Sequence, residues 1–326
     1  MGILPIITRF DGAPRKFGIE LEYTSLGLLE SVEAVEAIYG GQREQVGKYR
    51  YKLHDTPCGT FTVELDVKLM HQLSAHFGKE KETGQHRFED TADALLSPVM
   101  TRLSPTEIIT PPLQESELEQ LEQLVALLRD RGARGTGASV LNAYGLHINT
   151  DAPSLEAAPL LAYLQAFVLL QDWLTEQTEM DLTRLIAQYA KLYPEAYAKH
   201  ILQPSYHPTI ETLIDDYLSF NPSRDRALDM LPLFAYIDES RVRAVVKDMR
   251  VQIRPTFHFR MPNCRIDEAD WHVRDEILHW GHVEKLANDH ALRQRMSEAF
   301  LADTERLMHR FDDEWPEQTA RWLALA

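Results

Sequence analysis

Positive charge is scarce in this chain of 326 residues: 34 lysines and arginines stand against 50 aspartates and glutamates, a formal charge of −16. That balance excludes a protein that grips nucleic acid non-specifically through a basic surface. It leaves room for a nucleotide substrate, because a divalent cation can sit between carboxylates and phosphates. Cysteine is scarcer still. Cys58 and Cys264 are the whole complement, too few for a disulfide framework, which fits a reducing compartment. Long apolar runs are missing as well. No window reads as the roughly 18 apolar residues of a bilayer span, and the opening lacks the charged start, apolar core and small-residue cleavage site of a secretory signal. Low-complexity stretches and fixed-period repeats are absent. The expectation is a cytoplasmic protein with no membrane and no nucleic-acid partner.

What is present is an alternation of short amphipathic strands with longer helical patterns. Strand-like runs are 17–24, 49–54, 61–69, 107–110, 144–151 and 251–261, with a hairpin expected at the Pro57-Cys58-Gly59-Thr60 turn. Helical periodicity marks 28–39, 91–102, 114–131, 155–173, 182–200, 210–218, 270–288 and 290–312, with Gly132 as a stop signal. The proline-bearing stretch 203–226 reads as a loop-rich connection or lid. Helices gathered around an interrupted set of strands predict an α+β fold with a mostly helical second half.

The polar faces of these strands carry the chemistry. Side chains alternate along a strand, so Phe17, Ile19, Leu21 and Tyr23 face one way while Glu20 and Glu22 face the other. By the same parity Glu64 and Asp66 oppose Phe61, Val63 and Leu65; His147 and Asn149 oppose Leu146 and Ile148. Arg254, His258 and Arg260 oppose Ile253, Phe257 and Phe259. A face that is merely solvated usually carries Thr, Ser, Lys and Gln, and one strand alone would read as that. Acid pairs with no intervening cation repel. Two carboxylates about 7 Å apart on one strand are suited to Mg²⁺ or Mn²⁺, and arginines supply planar donors for phosphate or carboxylate.

In order along the chain, Gly18-Ile19-Glu20-Leu21-Glu22-Tyr23, Glu64-Leu65-Asp66, Glu107-Ile108-Ile109-Thr110-Pro111-Pro112-Leu113, Gly145-Leu146-His147-Ile148-Asn149 and Arg254-Pro255-Thr256-Phe257-His258-Phe259-Arg260 resemble the amidoligase family of the carboxylate–amine ligase superfamily. Glutamine synthetase and glutamate–cysteine ligase are relatives in that superfamily. The resemblance spans about residues 15–265. Two positions depart from the family pattern: His258 stands where an acid often precedes the arginine, and Asp66 is followed by Val67-Lys68.

The resemblance implies a glutamine-synthetase-like curved antiparallel sheet, its polar concave face the active site and its helices outside. It also implies a catalytic domain over 1–265, with a helical insertion at about 154–245, and a helical extension over 266–326. The implied reaction uses ATP with Mg²⁺ (or Mn²⁺) to activate a carboxylate as an acyl phosphate, which an amine then converts to an amide or isopeptide bond. Glu20, Glu22, Glu107 and His147 would be metal ligands. His147, Asn149, Arg254 and Arg260 would contact the nucleotide or substrate carboxylate, and Arg260 would also stabilise the transferring phosphoryl group. Glu64 or Asp66 would hold and deprotonate the amine. Partners implied are small-molecule or peptide acids and amines, glutamine-hydrolysing or other ligase proteins, and a second copy of the chain. Other readings of the same residues are a metal-dependent hydrolase, an ATP:guanidino phosphotransferase and a non-catalytic nucleotide- or peptide-binding module.

Three further signals read as structural. The glycine-rich segment 132–139 lacks the lysine of a phosphate loop. Glu276 and His279 have the Glu-x-x-His spacing of di-iron bundles without a second copy. Cys264 has no histidine nearby in sequence.

Overall fold

The computed structural model describes residues 2–65, 105–136, 144–180, 190–302 and 314–324. Those residues hold eight strands and ten α-helices, the mixed helix-and-strand composition expected. They fall into two compact units, one of Gly18–Leu146 with Asn263–His272, the other of Met1–Phe17, His147–Pro262 and Val273–Ala326. Within each unit the strands pair antiparallel.

The first unit is a meander of regular strands: β1 (Phe17–Tyr23), β2 (Gln42–Gly47), β3 (Arg50–Thr56), β4 (Gly59–Leu65) and β5 (Thr106–Ile109), side by side in the order β2-β3-β4-β5-β1. Alternation decides its two faces. Ile19, Leu21, Phe61, Val63 and Ile108 are fully buried, each such side chain contributing roughly 1.5–3 kcal/mol. Helix α1 (Leu28–Tyr39) brings Val32, Val35 and Tyr39 to this core, with the Tyr39 and Phe61 rings 4.5 Å apart. Helix α2 (Leu118–Asp130) buries Leu121, Leu124, Val125 and Leu128, the i, i+3, i+4, i+7 stripe of an amphipathic helix. It stops at Gly132, whose φ of +98° is open to glycine at little cost. The hairpin at residues 57–60 is present, Thr56 pairing with Gly59.

The glycine-rich loop serves packing. A Cβ at Gly135 would stand 2.0 Å from the carbonyl oxygen of Cys264, and the Thr136 amide donates to that oxygen at 2.8 Å. Residues 137–139 lie outside the described set.

The second unit is mainly helical. Its strands β6 (Leu146–Thr150), β7 (Leu228–Asp229) and β8 (His258–Phe259) run in the order β6-β8-β7. Around them stand α3 (Ala157–Gln177), α4 (Glu195–Ile201), α5 (Ile210–Phe220), α6 (Leu231–Ile237), α7 (Glu239–Val245), α8 (Val273–Asn288), α9 (His290–Ala302) and α10 (Glu314–Ala324). An aromatic seam joins strand and helix: Phe257 packs 4.6 Å from Tyr163 of α3 and 5.1 Å from Trp280 of α8. A buried ion pair ties in the start of the chain. The Arg15 guanidinium donates both to Glu284 of α8 (2.8 Å for one of its two bonds) and to the Asp151 carbonyl at 2.8 Å. Trp280 donates to the same glutamate at 2.7 Å.

Several expectations are corrected. The long strand at 251–261 shrinks to His258–Phe259, because Pro255 has no amide to offer a ladder; Ile253, expected on the apolar face, is 43% exposed. The helix expected over 182–200 reaches only Glu195–Ile201 among the described residues, with Pro194 as its N-cap. Strands β2 and β7 and helices α6 and α7 were not anticipated. Helix α3 also overturns the expectation of no sufficiently apolar window. It is long and apolar enough by length and composition to cross a membrane, yet 72% of its most apolar 18-residue window is buried within the protein. The helix expected at 91–102 and the strand tail at 66–69 lie outside the described residues.

Candidate active site

On the polar face of the first unit, register does what sequence spacing alone cannot. Glu22 of β1 sits directly opposite Glu107 of β5, Glu107 opposite Glu64 of β4, and Glu64 opposite Arg50 of β3. Four side chains thus form one row across four strands. Glu20 lies two residues along β1 on the same face and is 8% exposed. Carboxylate oxygens of Glu22 and Glu107 come within 4.8 Å of each other. Like charges placed directly opposite destabilise a sheet, so this row favours an added cation.

Two fixed contacts shape the row. Gly145 donates its amide to the Glu22 carboxylate at 2.7 Å, while the Glu22 amide donates to the Gly145 carbonyl at 3.1 Å. At the other end Arg50 donates to Glu64. That hydrogen bond, with the nearby Glu107 charge, holds the Arg50 guanidinium pKa above its ordinary value, against the opposing effect of burial. Asp66, expected beside Glu64, lies outside the described residues.

The second unit gathers the basic and imidazole groups. His258 of β8 is opposite Asp229 of β7. The pairings Ile148–Phe259 and Asp151–Thr256 on either side place Asn149 opposite His258. Across three short strands this gives the row Asn149, His258, Asp229. The His147 and His258 rings meet edge to face at 5.3 Å, with ring nitrogens within 4.8 Å. The Arg254 guanidinium donates to the Asn149 side-chain oxygen. Arg260, two residues past His258 and 7% exposed, is pinned by its amide to the Ala227 carbonyl at 2.8 Å.

Asp229 is the single buried acid of this row. It is 2% exposed, accepts the Leu231 amide at 2.9 Å and lies 3.6 Å from the His258 ring. Burial pushes its carboxyl up to about 6, against the opposing pull of that amide and of Arg260, Arg224 and Arg254. The strand carrying it is held from behind, where the Tyr193 hydroxyl donates to the Leu228 carbonyl at 2.6 Å and Tyr217 accepts the Met230 amide at 3.1 Å.

A family model described as "Putative amidoligase enzyme" matches residues 13–281. The chain belongs to the amidoligase family. Comparison with curated proteins gives no match. The family match encloses every candidate residue named above, and membership makes ligase chemistry in an enzyme the coarse functional statement. For this amidoligase-family chain, the expected residues divide cleanly: Glu20, Glu22, Glu64 and Glu107 share one face of the first unit, while His147, Asn149, Arg254 and Arg260 belong to the second.

Sequence reading passed over Arg50, Arg224 and Asp229. Arg50 was within reach, since it shares parity with Lys52 and His54 in a recognised strand. Asp229, on a two-residue strand, and Arg224, in a loop, carried no periodic signal. Two other motifs have visible surroundings: Glu276 and His279 pair with each other at 3.0 Å within α8, and Cys264 is buried.

Proposed function

We propose that this chain is an ATP-dependent carboxylate–amine ligase of glutamine-synthetase-like fold, working with Mg²⁺ (or Mn²⁺) and forming an amide or isopeptide bond. The observation that carries the reading is the row of Glu22, Glu107 and Glu64 on one sheet face with Glu20 beside it. The donor set fits the ion. These are hard oxygens, two of them on different strands within 4.8 Å, where oxygens bound to Mg²⁺ at 2.0–2.1 Å would sit roughly 3–4 Å apart. Glu20, Glu22 and Glu107 would hold it, and when bound it supplies charge neutralisation for phosphoryl transfer.

The chain's own residues account for the rest. Arg254 and Arg260 bind and orient the acid substrate and the phosphates, with Arg260 stabilising the transferring phosphoryl group. His147 contacts the metal or a phosphate, with Asn149 fixing Arg254. The substrate carboxylate oxygen bonds to the γ-phosphorus as the bond to ADP breaks. The amine nitrogen then bonds to the acyl carbon, phosphate leaves and one amine proton is lost. Glu64, an acceptor for Arg50, or Asp66 holds the incoming ammonium and takes that proton.

Residues 1–265 are proposed as the catalytic domain and 266–326 as its extension. The substrates are small-molecule or peptide acids and amines, the compartment cytoplasmic. The test is phosphate release from ATP with Mg²⁺ or Mn²⁺ against pooled amino acids, polyamines and short peptides, products being read by mass. Release that needs both an acid and an amine, with a product lighter than their sum by one water, supports the ligase. Turnover of an amide without ATP would replace it with the hydrolase reading.

A further inference from the structure

We infer that His147 and His258 form a site for a divalent cation of the Zn²⁺ or Co²⁺ class, with Asp229 as its positioning residue. The site differs in donor chemistry from the carboxylate row of the first unit, to which Mg²⁺ is given above. Register brings the two rings together. Ile148 is opposite Phe259 and Asp151 opposite Thr256. That sets His147 opposite Arg260 and makes His147 and His258 diagonal neighbours on one face of β6 and β8, within reach of each other's side chains. Their rings meet edge to face at 5.3 Å, each offering a nitrogen within 4.8 Å of the other. Two imidazole nitrogens held by one Zn²⁺ at about 2.0–2.1 Å would stand roughly 3–3.5 Å apart, a gap that small ring rotations close.

Imidazole decides the class of ion. Ring nitrogens are softer donors than carboxylate or water oxygens, which suits Zn²⁺ and Co²⁺ and serves Mg²⁺ poorly. Burial adds to the preference, since both rings are 5% exposed and Mg²⁺ gives up its water reluctantly. Asp229 completes the arrangement. It lies opposite His258 in register, its carboxylate 3.6 Å from the Nδ1 atom of that ring. A ring nitrogen facing a carboxylate carries the proton, which assigns Nε2 to the ion. The Leu231 amide donates to Asp229 at 2.9 Å and fixes the direction of the carboxylate. Its negative charge also offsets Arg254 and Arg260, which share the parity of His258. Two protein nitrogens leave coordination positions for water or a phosphate oxygen.

The full chain, stripped with chelator, is titrated with Zn²⁺ and with Mg²⁺ by calorimetry while its imidazole nitrogens are followed by long-range proton–nitrogen NMR. Zn²⁺ should shift two imidazoles, and Mg²⁺ should shift neither. His147→Gln and His258→Gln should each remove one of the shifted signals and lower Zn²⁺ affinity tenfold or more, with the far-ultraviolet spectrum held. The parent spectrum decides even where a variant fails to fold. Asp229→Asn should weaken Zn²⁺ binding roughly ten- to a hundredfold, and Asp229→Glu should recover part of the loss. A merely structural Asp229 would lower the melting temperature and leave the Zn²⁺ affinity of the folded chain unchanged. Zn²⁺ that shifts no imidazole, or equal Zn²⁺ affinity in the parent and both glutamine variants, overturns the site. Mg²⁺ that shifts both rings as tightly as Zn²⁺ overturns the choice of ion. The measurement involves no ATP, so an absence of ATP turnover would sink the ligase reading alone.

Discussion

The acidic face of the first unit and the basic face of the second are built by different means. Three regular strands of four to seven residues carry the acids, and strict alternation sends the glutamates one way and the core the other. The basic face rests on strands of five, two and two residues with loops between them, and its arginines lie outside those strands. Their counter-charges differ too. At the end of the acid row, Glu64 accepts from a half-exposed arginine, Arg50. The arginines have a carboxylate buried almost completely, Asp229. A regular strand sets the spacing of its charges by alternation, whereas short strands leave theirs to the segments between them.

The largest effect should come from the centre of the acid row. Glu22→Gln or Glu107→Gln should lower metal-dependent ATP turnover roughly a thousandfold or more with the circular-dichroism spectrum unchanged; full turnover in either variant would remove these glutamates from the metal assignment. Next is a contrast in stability. The first unit's described ion pairs, such as His54–Glu44 and Arg43–Glu36, have exposed members, whereas Arg15–Glu284 is wholly buried. Glu284→Gln leaves a buried guanidinium uncompensated and should cost about 3–5 kcal/mol in urea unfolding. A cost below about 1 kcal/mol would mean that water or another group replaces the lost charge.

The third prediction concerns pH. Asp229 has a carboxyl raised to about 6 in the folded protein against an ordinary 3.8, so the folded state holds the proton more tightly than the unfolded one. Its contribution to stability is therefore most favourable below pH 4 and declines as pH rises to about 6, by roughly 3 kcal/mol in all. Asp229→Asn should remove that decline, so the parent-minus-variant difference in unfolding free energy should fall across this window. A flat difference would show that the arginines already keep the carboxylate ionised. The smallest effect is expected at Arg50, whose side chain is 55% exposed. Arg50→Met should change stability by less than about 1 kcal/mol, yet tighten Mn²⁺ binding a few-fold by titration, because Glu64 loses its resident cation.

Legibility followed regularity. In β1, Phe17 to Tyr23 alternate without interruption, so Glu20 and Glu22 could be placed on one face before any coordinates. The α1 bounds likewise match the periodic stretch 28–39. The reading failed at 251–261, where apolar residues at alternate positions suggested one long strand and Pro255 prevented it. It failed completely for Asp229, since a two-residue strand has no period to detect.

What the sequence determined by itself is the parity of its side chains, the apolar stripes of its longer helices and the ordered motifs that mark the amidoligase family. These are local, set by backbone geometry within a few residues. Tertiary structure decided which strands lie side by side, and therefore that Glu22 faces Glu107, Glu107 faces Glu64, and Asp229 faces His258. Register depends on hydrogen bonds and packing between segments tens of residues apart, and charges become a site only when that pairing brings them within reach of one ion.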